Sequence, residues 1–525
     1  MDPLFSGSSF ITRLFERKPN GTGWLARRRR PAGRTNRRGR ATSPAVGGAL
    51  VTDRDPVSGT DNAWRRIGSI DNLTTITGVL WFDEAISYEE LCERLEARLL
   101  RFDRFEQRVA GHNRLLGRPY WETVEDFDIE THVQHVALPE PQDNGTFQRF
   151  VSRLMSQPLE ESRPLWEAYL IDGAGSGDGN AVAFRINHSI GDGFALMYVM
   201  FGLVDDPDEI EMPMGIVPDP PSVDEFDDAA ATDGAGTAVE ATETTPAERE
   251  TDTDRGGGDD TGLSLGGGGV LDTVSLAGTA LKTGVNLLTQ DDEIETSLRG
   301  ELGTAKRAGW TDEIDLATVK AIGRANDATV NDVLMGALAG AFRRLLSERG
   351  EPVDGRELRV TVPVNLKPME KRDASLGNYF GLAFVPLPIG TPDLEERIRI
   401  IHDRMSAERA GVEAFLMYLT LTFGGRSPEP VLDWLMAQFE DRATGVVTNV
   451  PGPTDTVEFA GREVTDVMFW VPQANDQGLG ISIFSYDGGV RLGIAADANL
   501  LPDTDELADA FRTEIEALAD EADAG

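Results

Sequence analysis

Short stretches in which apolar and polar residues alternate are interleaved, along this 525-residue chain, with stretches in which apolar residues return every three or four positions. The first pattern lays one face of a strand on a core, and the second lays one face of a helix there. TTITGVLWF (74–82) is predicted as a strand, and SYEELCERLEARLLRF (87–102) as a helix whose buried stripe is Leu91, Leu95, Leu99 and Phe102. FDIETHVQHVALP (127–139) reads as a strand, Phe147 to Met155 as a helix, and Leu165 to Ile171 as another strand. The alternating run Ala181 to Asn187 stops at His188, and an apolar helix begins after Asp192-Gly193. Farther on come a helix from Asn331 to Arg349 with a stop at Gly350, a strand LRVTVPVNL (358–366), and a β-rich run from Val446 to Ala496. Interleaving of this kind predicts an α/β (α+β) protein.

Composition divides the chain further. Residues 1–50 are basic, with Arg27 to Arg30 followed by Arg34, Arg37, Arg38 and Arg40 among Gly, Pro and Ser, and are expected to stay disordered. No apolar stretch follows these arginines, which excludes a secretory signal. The leader reads either as a basic arm for anionic lipid or as sequence upstream of the true start. Residues 51–218 form a first globular unit, and 219–262 are a low-complexity acidic linker with almost no large apolar residues. Residues 263–295 form a connecting amphipathic helix, with Val270, Leu271, Val274, Ala277, Leu281, Val285 and Leu288 on one side, and 296–525 form a second unit.

The formal net charge of −39 changes the picture of the surface. Lysine is rare, arginine is common, and acidic residues are scattered through elements as well as linkers. Such a skin stays solvated where salt cuts electrostatic screening lengths to a few Å, so we expect adaptation to a salt-rich cytoplasm. The same field repels phosphate and argues against nucleic acid. No uninterrupted apolar run reaches the roughly 20 residues of a spanning helix. The single cysteine, Cys92, excludes a disulfide framework and any multi-cysteine metal site. It also lies in mid-helix among packing residues, which makes a thiol nucleophile improbable.

Chemistry concentrates at the junction of residues 181–200. Of the five histidines, His188 alone sits where a strand turns into a helix, a place that exposes a side chain at a cleft on rigid support. Its imidazole can take and return a proton near neutral pH. Taken by themselves, a histidine at a strand end is more often a structural hydrogen-bond donor than a catalyst, and an Asp-Gly pair is often just a turn.

The spacing His188-x-x-x-Asp192-Gly193 resembles the CoA-dependent acyltransferases of chloramphenicol acetyltransferase-like fold, and among them the wax ester synthase/diacylglycerol acyltransferase family. SGTDNAWRRIG (58–68) is similar to that family's opening segment, keeping Ser58 and Asp61. RFDRFEQRV, FDIETHV and SRPLWEAYLIDG follow in the family's order, the last with Pro164-Leu165-Trp166. ATVNDVLMGALAGAFRRLL carries the Asn331-Asp332 pair, and VPVNL, LGNYFG, TNVPGP and ISIFSYDG complete the likeness, which spans about 55 to 520 without the acidic linker. The family pattern begins with two histidines; here Asn187 stands in the first place, able to hydrogen-bond but not to titrate.

The resemblance implies two chloramphenicol acetyltransferase-like domains around an inter-domain tunnel. It implies acyl transfer from acyl-CoA to diacylglycerol or a long-chain alcohol, with His188 as general base and no cofactor beyond the CoA substrate. Asp192 is expected to brace the loop through an arginine, Arg185 being one candidate. Gly193 is expected to supply either a positive φ or room for substrate. Donors for the thioester oxygen are sought among Asn187, Asn331, Thr448 and Asn449, while Asn331 and Asp332 serve equally well as helix-terminal residues. Trp166 is read as packing. Two other readings stand beside this one: a non-catalytic lipid-binding homologue, which only Asn187 favours, and an acyltransferase for an isoprenoid or carotenoid alcohol. The expected location is cytoplasmic, with peripheral contact at the inner face of the cell membrane, and segment 270–288 reads equally as a surface anchor for that contact or as a plain inter-domain helix.

Overall fold

A computed structural model describes residues 55–111, 118–175, 179–207, 293–366 and 376–525, apart from positions 406, 438, 440, 474 and 525. The basic leader, the acidic linker and nearly all of the connecting segment 263–295 lie outside the described residues.

The first half supplies β1 (Asp55–Pro56), α1 (Gly59–Ile67), β2 (Thr75–Phe82), α2 (Tyr88–Arg98), β3 (Gln107–Ala110), β4 (Tyr120–Thr123) and β5 (Val133–Ala137). It continues with α3 (Asn144–Met155), β6 (Trp166–Asp172), β7 (Asn180–Asn187) and α4 (Gly193–Phe201). The second half supplies β8 (Lys306–Trp310), β9 (Ile314–Asp315), α5 (Leu316–Ala325), α6 (Val330–Glu348), β10 (Leu358–Asn365), β11 (Phe380–Leu387), α7 (Leu394–Met405), α8 (Ala407–Arg426) and α9 (Glu429–Ala437). It closes with β12 (Gly445–Pro451), β13 (Glu458–Phe459), β14 (Arg462–Trp470), β15 (Leu479–Tyr486), β16 (Gly489–Asp497) and α10 (Asp505–Ala524). Among the described residues the strands and helices expected from periodicity are present, and a 3₁₀ turn, Ile129–Thr131, opens the segment before β5.

Apolar spacing decides what each element buries. Leu91, Leu95 and Leu99 are fully buried in the first core, where Phe147, Val151 and Leu154 of α3 join them. Ser87 and Glu90 form a reciprocal capping box that starts α2. In the second half, α6 sends Leu338, Phe342 and Leu345 into a core shared with Leu507, Phe511 and Ile515 of α10 and with Leu479, Ile481 and Ile483 of β15.

Two large sheets carry these cores. The second runs β11-β10-β12-β15-β16-β8, with β9 also on β16, and the first runs β13-β14-β2-β7-β6-β5. The boundary near residue 296 therefore separates the halves in sequence only. β14 lies antiparallel to β2, pairing Met468 with Val79, so two strands of the second half complete the sheet of the first.

Two more ties join the halves. The open edge of β8 is covered by α3, whose Ser152 and Ser156 hydroxyls accept from the Ala308 and Lys306 amides at 2.9 and 2.8 Å. Helix α1 lies against α8 so closely that a Cβ at Gly59 or Gly425 would overlap backbone oxygen of the other helix. The Asn62 amide donates to the Gly425 carbonyl at 2.6 Å across that contact.

Candidate active site

β7 sets the geometry. Its residues alternate, so Phe184, Ile186 and then His188 face one side, where they line a cavity between the two sheets, while Arg185 and Asn187 face the other. The cavity encloses about 1440 Å³, its open mouth included. It is walled by Ile76, Gly78 and Leu80 of β2, Phe380 and Leu382 of β11, Val446, Thr448 and Val450 of β12, and Met468 of β14. Met197, Met200 and Phe201 of α4 complete it. Apart from His188, Asp192 and Thr448, its described lining is apolar in character, and methionines adapt to varied apolar shapes.

His188 is buried, its ring stacked on Trp64 with centroids 4.4 Å apart and tilted against Phe380 at 5.3 Å. Its backbone amide donates to the Thr74 carbonyl at 2.8 Å, which fixes the end of β7 against the segment leading into β2. Its Nδ1 lies 2.7 Å from Oδ1 of Asn378, whose amide nitrogen reaches Asp61 Oδ1 at 2.8 Å. Burial pushes the imidazole pKa down, opposed by the Asp192 carboxylate and the Asn378 hydrogen bond. Burial also raises the Asp61 carboxyl, against the hydrogen bonds from Asn378 and Ser58. Asn378 and Asp61 both lie in quoted motifs, LGNYFG and SGTDNAWRRIG, yet no spacing signal brings together residues 317 positions apart.

Asp192 accepts from the Ala195 amide at 2.8 Å as the cap of α4 and from the Tyr379 amide at 3.0 Å, so it pins the helix start to the loop that carries Asn378. Arg185 is not its partner. On the opposite face of β7, Arg185 pairs with Glu167 at 2.8 Å and donates to the Gln157 carbonyl. Gly193 opens α4 without a positive φ, and no atom stands within 4 Å of where its Cβ would be. Of the two readings for this glycine, the unusual backbone is excluded and open space at the start of α4 remains.

Comparison with known proteins fits this geometry. The model for the wax ester synthase/diacylglycerol acyltransferase catalytic domain matches residues 58–334, and that for the WS/DGAT C-terminal domain matches 376–519. The chain belongs to the wax ester synthase/diacylglycerol acyltransferase family. It is 27% identical over 430 residues to a probable diacylglycerol O-acyltransferase of Mycobacterium tuberculosis, covering 80% of this chain and 85% of that one. The solved wax ester synthase/diacylglycerol acyltransferase from Marinobacter aquaeolei superposes with a TM-score of 0.59 at 20% identity, covering 89% of this chain and 99% of that one. The first condensation domain of the calcium-dependent antibiotic synthetase superposes at 0.57 and 14% identity, covering 90% and 96%. The fold is thus the two-domain, chloramphenicol acetyltransferase-like one, and the protein is an acyltransferase enzyme.

Most of the polar residues weighed for substrate contact lie off the cavity, although their motifs also send Trp64, Pro363, Phe380 and Phe484 into its wall. Asn187 bonds the Ser189 amide at 3.0 Å and the Thr74 hydroxyl at 3.3 Å, and lines a separate small cleft with Arg65 and Glu161. Asn449 follows Thr448 on β12 and so points to the far side, where its amide donates to Asn331 at 3.1 Å. Thr329, not Asn331, caps α6, in a reciprocal box with Asp332 that His402 joins at 2.9 Å. Asn187, Asn331, Asp332 and Asn449, weighed by sequence for substrate binding and, for Asn331 and Asp332, equally for a helix terminus, make these ties behind the cavity wall. Thr448 alone among the expected donors lines it.

Because position 187 faces away from the cavity that His188 lines, Asn187→His, which restores the family's paired histidines, is expected to leave turnover and melting temperature unchanged. A change of tenfold or more in turnover would show that this face communicates with the cavity.

Proposed function

We propose that the enzyme transfers a fatty acyl group from acyl-CoA to diacylglycerol or a long-chain alcohol, making triacylglycerol or wax ester, with His188 as the general base. One observation carries the reading: a buried, neutral-leaning imidazole opens on a cavity whose walls suit alkyl chains and little else. The acceptor hydroxyl oxygen attacks the thioester carbonyl carbon while His188 takes its proton. The tetrahedral intermediate then collapses, the C–S bond breaks, and the imidazolium returns the proton to the CoA thiolate. No acyl-enzyme is required. Thr448 supports the developing oxyanion, and the open space at Gly193 admits the reacting groups beside the ring.

No helix among the described residues is long and apolar enough to cross a membrane. The substrates are nevertheless lipids, and we place the enzyme at the inner face of the cell membrane in peripheral contact. Exposed Leu419 and Phe423 on α8 and Trp434 on α9 support that placement. The non-catalytic reading rested on Asn187, whose position behind the wall removes its force.

The test is incubation of the pure protein with labelled palmitoyl-CoA in high salt, with diacylglycerol, hexadecanol or an isoprenoid alcohol. Acceptor-dependent ester from the first two is expected. CoA release that no acceptor stimulates, or ester formed with the isoprenoid alcohol alone, would overturn the substrate assignment.

A further inference from the structure

We propose that Asn378 is the positioning residue for the base: from the second half of the chain it holds His188 in the Nδ1–H tautomer and so leaves Nε2 as the proton acceptor. The inference rests on the reading of His188 as general base.

It follows from a count of donors and acceptors. The Asn378 amide nitrogen lies 2.8 Å from the His188 carbonyl oxygen and 2.8 Å from Asp61 Oδ1. A backbone carbonyl can only accept, so the atom facing it must be the NH₂ group, and the orientation of the amide is settled. Asp61 Oδ1 also receives the Asn378 backbone amide at 3.0 Å, which holds that residue at both ends. Both amide hydrogens are then committed, and Oδ1 is left facing Nδ1 of His188 at 2.7 Å. An amide oxygen cannot donate, so Nδ1 must. A neutral imidazole carries one hydrogen, and placing it on Nδ1 puts the lone pair on Nε2. Trp64 and Phe380 hold the ring plane and prevent it from turning to another partner.

The identity of the orienting residue matters. A carboxylate in its place would favour imidazolium and delay return of the proton, whereas a neutral amide fixes the tautomer without stabilising the charged form so strongly. Among the described residues, the charged groups that act on the ring are Asp192 at the start of α4 and, one hydrogen bond away through Asn378, Asp61, which the Arg104 charge influences. The residues are 190 positions apart, so the base is complete only when the second half is docked.

The experiment is ¹⁵N NMR of the full chain labelled at histidine, with the His188 signals identified by their loss in His188→Ala, combined with steady-state kinetics of Asn378→Ala. The parent is expected to show a protonated Nδ1 and an unprotonated Nε2 at neutral pH, where the imidazole is uncharged. In Asn378→Ala the pattern should become a mixture or shift to Nε2–H, and kcat should fall about 10²-fold, the scale of a misplaced general base. KM for acyl-CoA should change little, which a general loss of structure would not produce. A parent spectrum with Nε2–H overturns the proposal without any variant, even where Asn378→Ala fails to fold. So does an Asn378→Ala protein with the parent's tautomer and kcat. Full activity in His188→Ala would instead remove the base reading itself, whatever tautomer the parent shows.

Discussion

His188→Ala is expected to lower turnover by about 10²- to 10⁴-fold, the contribution of a lost general base. The sequence alone suggests that stability would hardly change, but the ring is buried between Trp64 and Phe380 and bonded to Asn378. Its removal should therefore also cost about 1–3 kcal/mol, and kcat must be read at a temperature where both proteins are folded by circular dichroism. The pH dependence gives an independent check. Burial holds the folded imidazole below its ordinary value of about 6.5. The neutral base then persists into more acidic solution, and the acidic limb of kcat/KM in the parent should lie below that pH. The linkage has a definite sign. Just below pH of about 6.5 the unfolded chain binds a proton that the folded one refuses, so the parent loses stability as pH falls through that window. His188→Ala should lack this component of the acid loss. Parent-level turnover in the folded variant would sink the mechanism.

Gly425→Val is expected to have the largest effect of any change distant from the cavity. A Cβ there would meet the Gly59 carbonyl oxygen, and α1 and α8 have no flexible side chain between them at that point to yield. Overpacking of this kind costs about 1–3 kcal/mol and at times more. The effect should reach the chemistry as well, because α1 carries both Asp61, which holds Asn378, and Trp64, which stacks on His188. Displacing α1 should lower both the melting temperature and the turnover of the protein that remains folded. A variant equal to the parent in both measurements would show that the close crossing of these helices positions nothing.

Much of this architecture was legible in the sequence because local periodicity survives in the fold. Leu91, Leu95 and Leu99 announced their helix, and the alternation before His188 announced its strand. The same alternation also held information that the motif reading passed over. If His188 faces the cavity, then Asn187 and Arg185 on β7 face away from it, and if Thr448 faces in, Asn449 faces out. Resemblance groups neighbours in sequence into one site, whereas a strand sends them to opposite sides. The helix stop at Gly350 was correct, but its start belonged to Thr329, since the capping box reads Thr329-x-x-Asp332. Asn378 and Asp61 were legible only as motif members. Their partnership depends on docking of the two halves, and nothing in local pattern records that docking.

The strand exchanged between the halves gives synthesis of this protein a fixed order of events. β2, β5, β6 and β7 leave the ribosome early, but the partner along the free edge of β2 is β14, which ends at Trp470. At ordinary rates of translation that edge waits on the order of tens of seconds for its neighbour. During that time a row of backbone donors and acceptors is open to any other extended chain, including a second nascent copy. The acidic linker between the halves is made in this interval, so the edge is exposed throughout its synthesis.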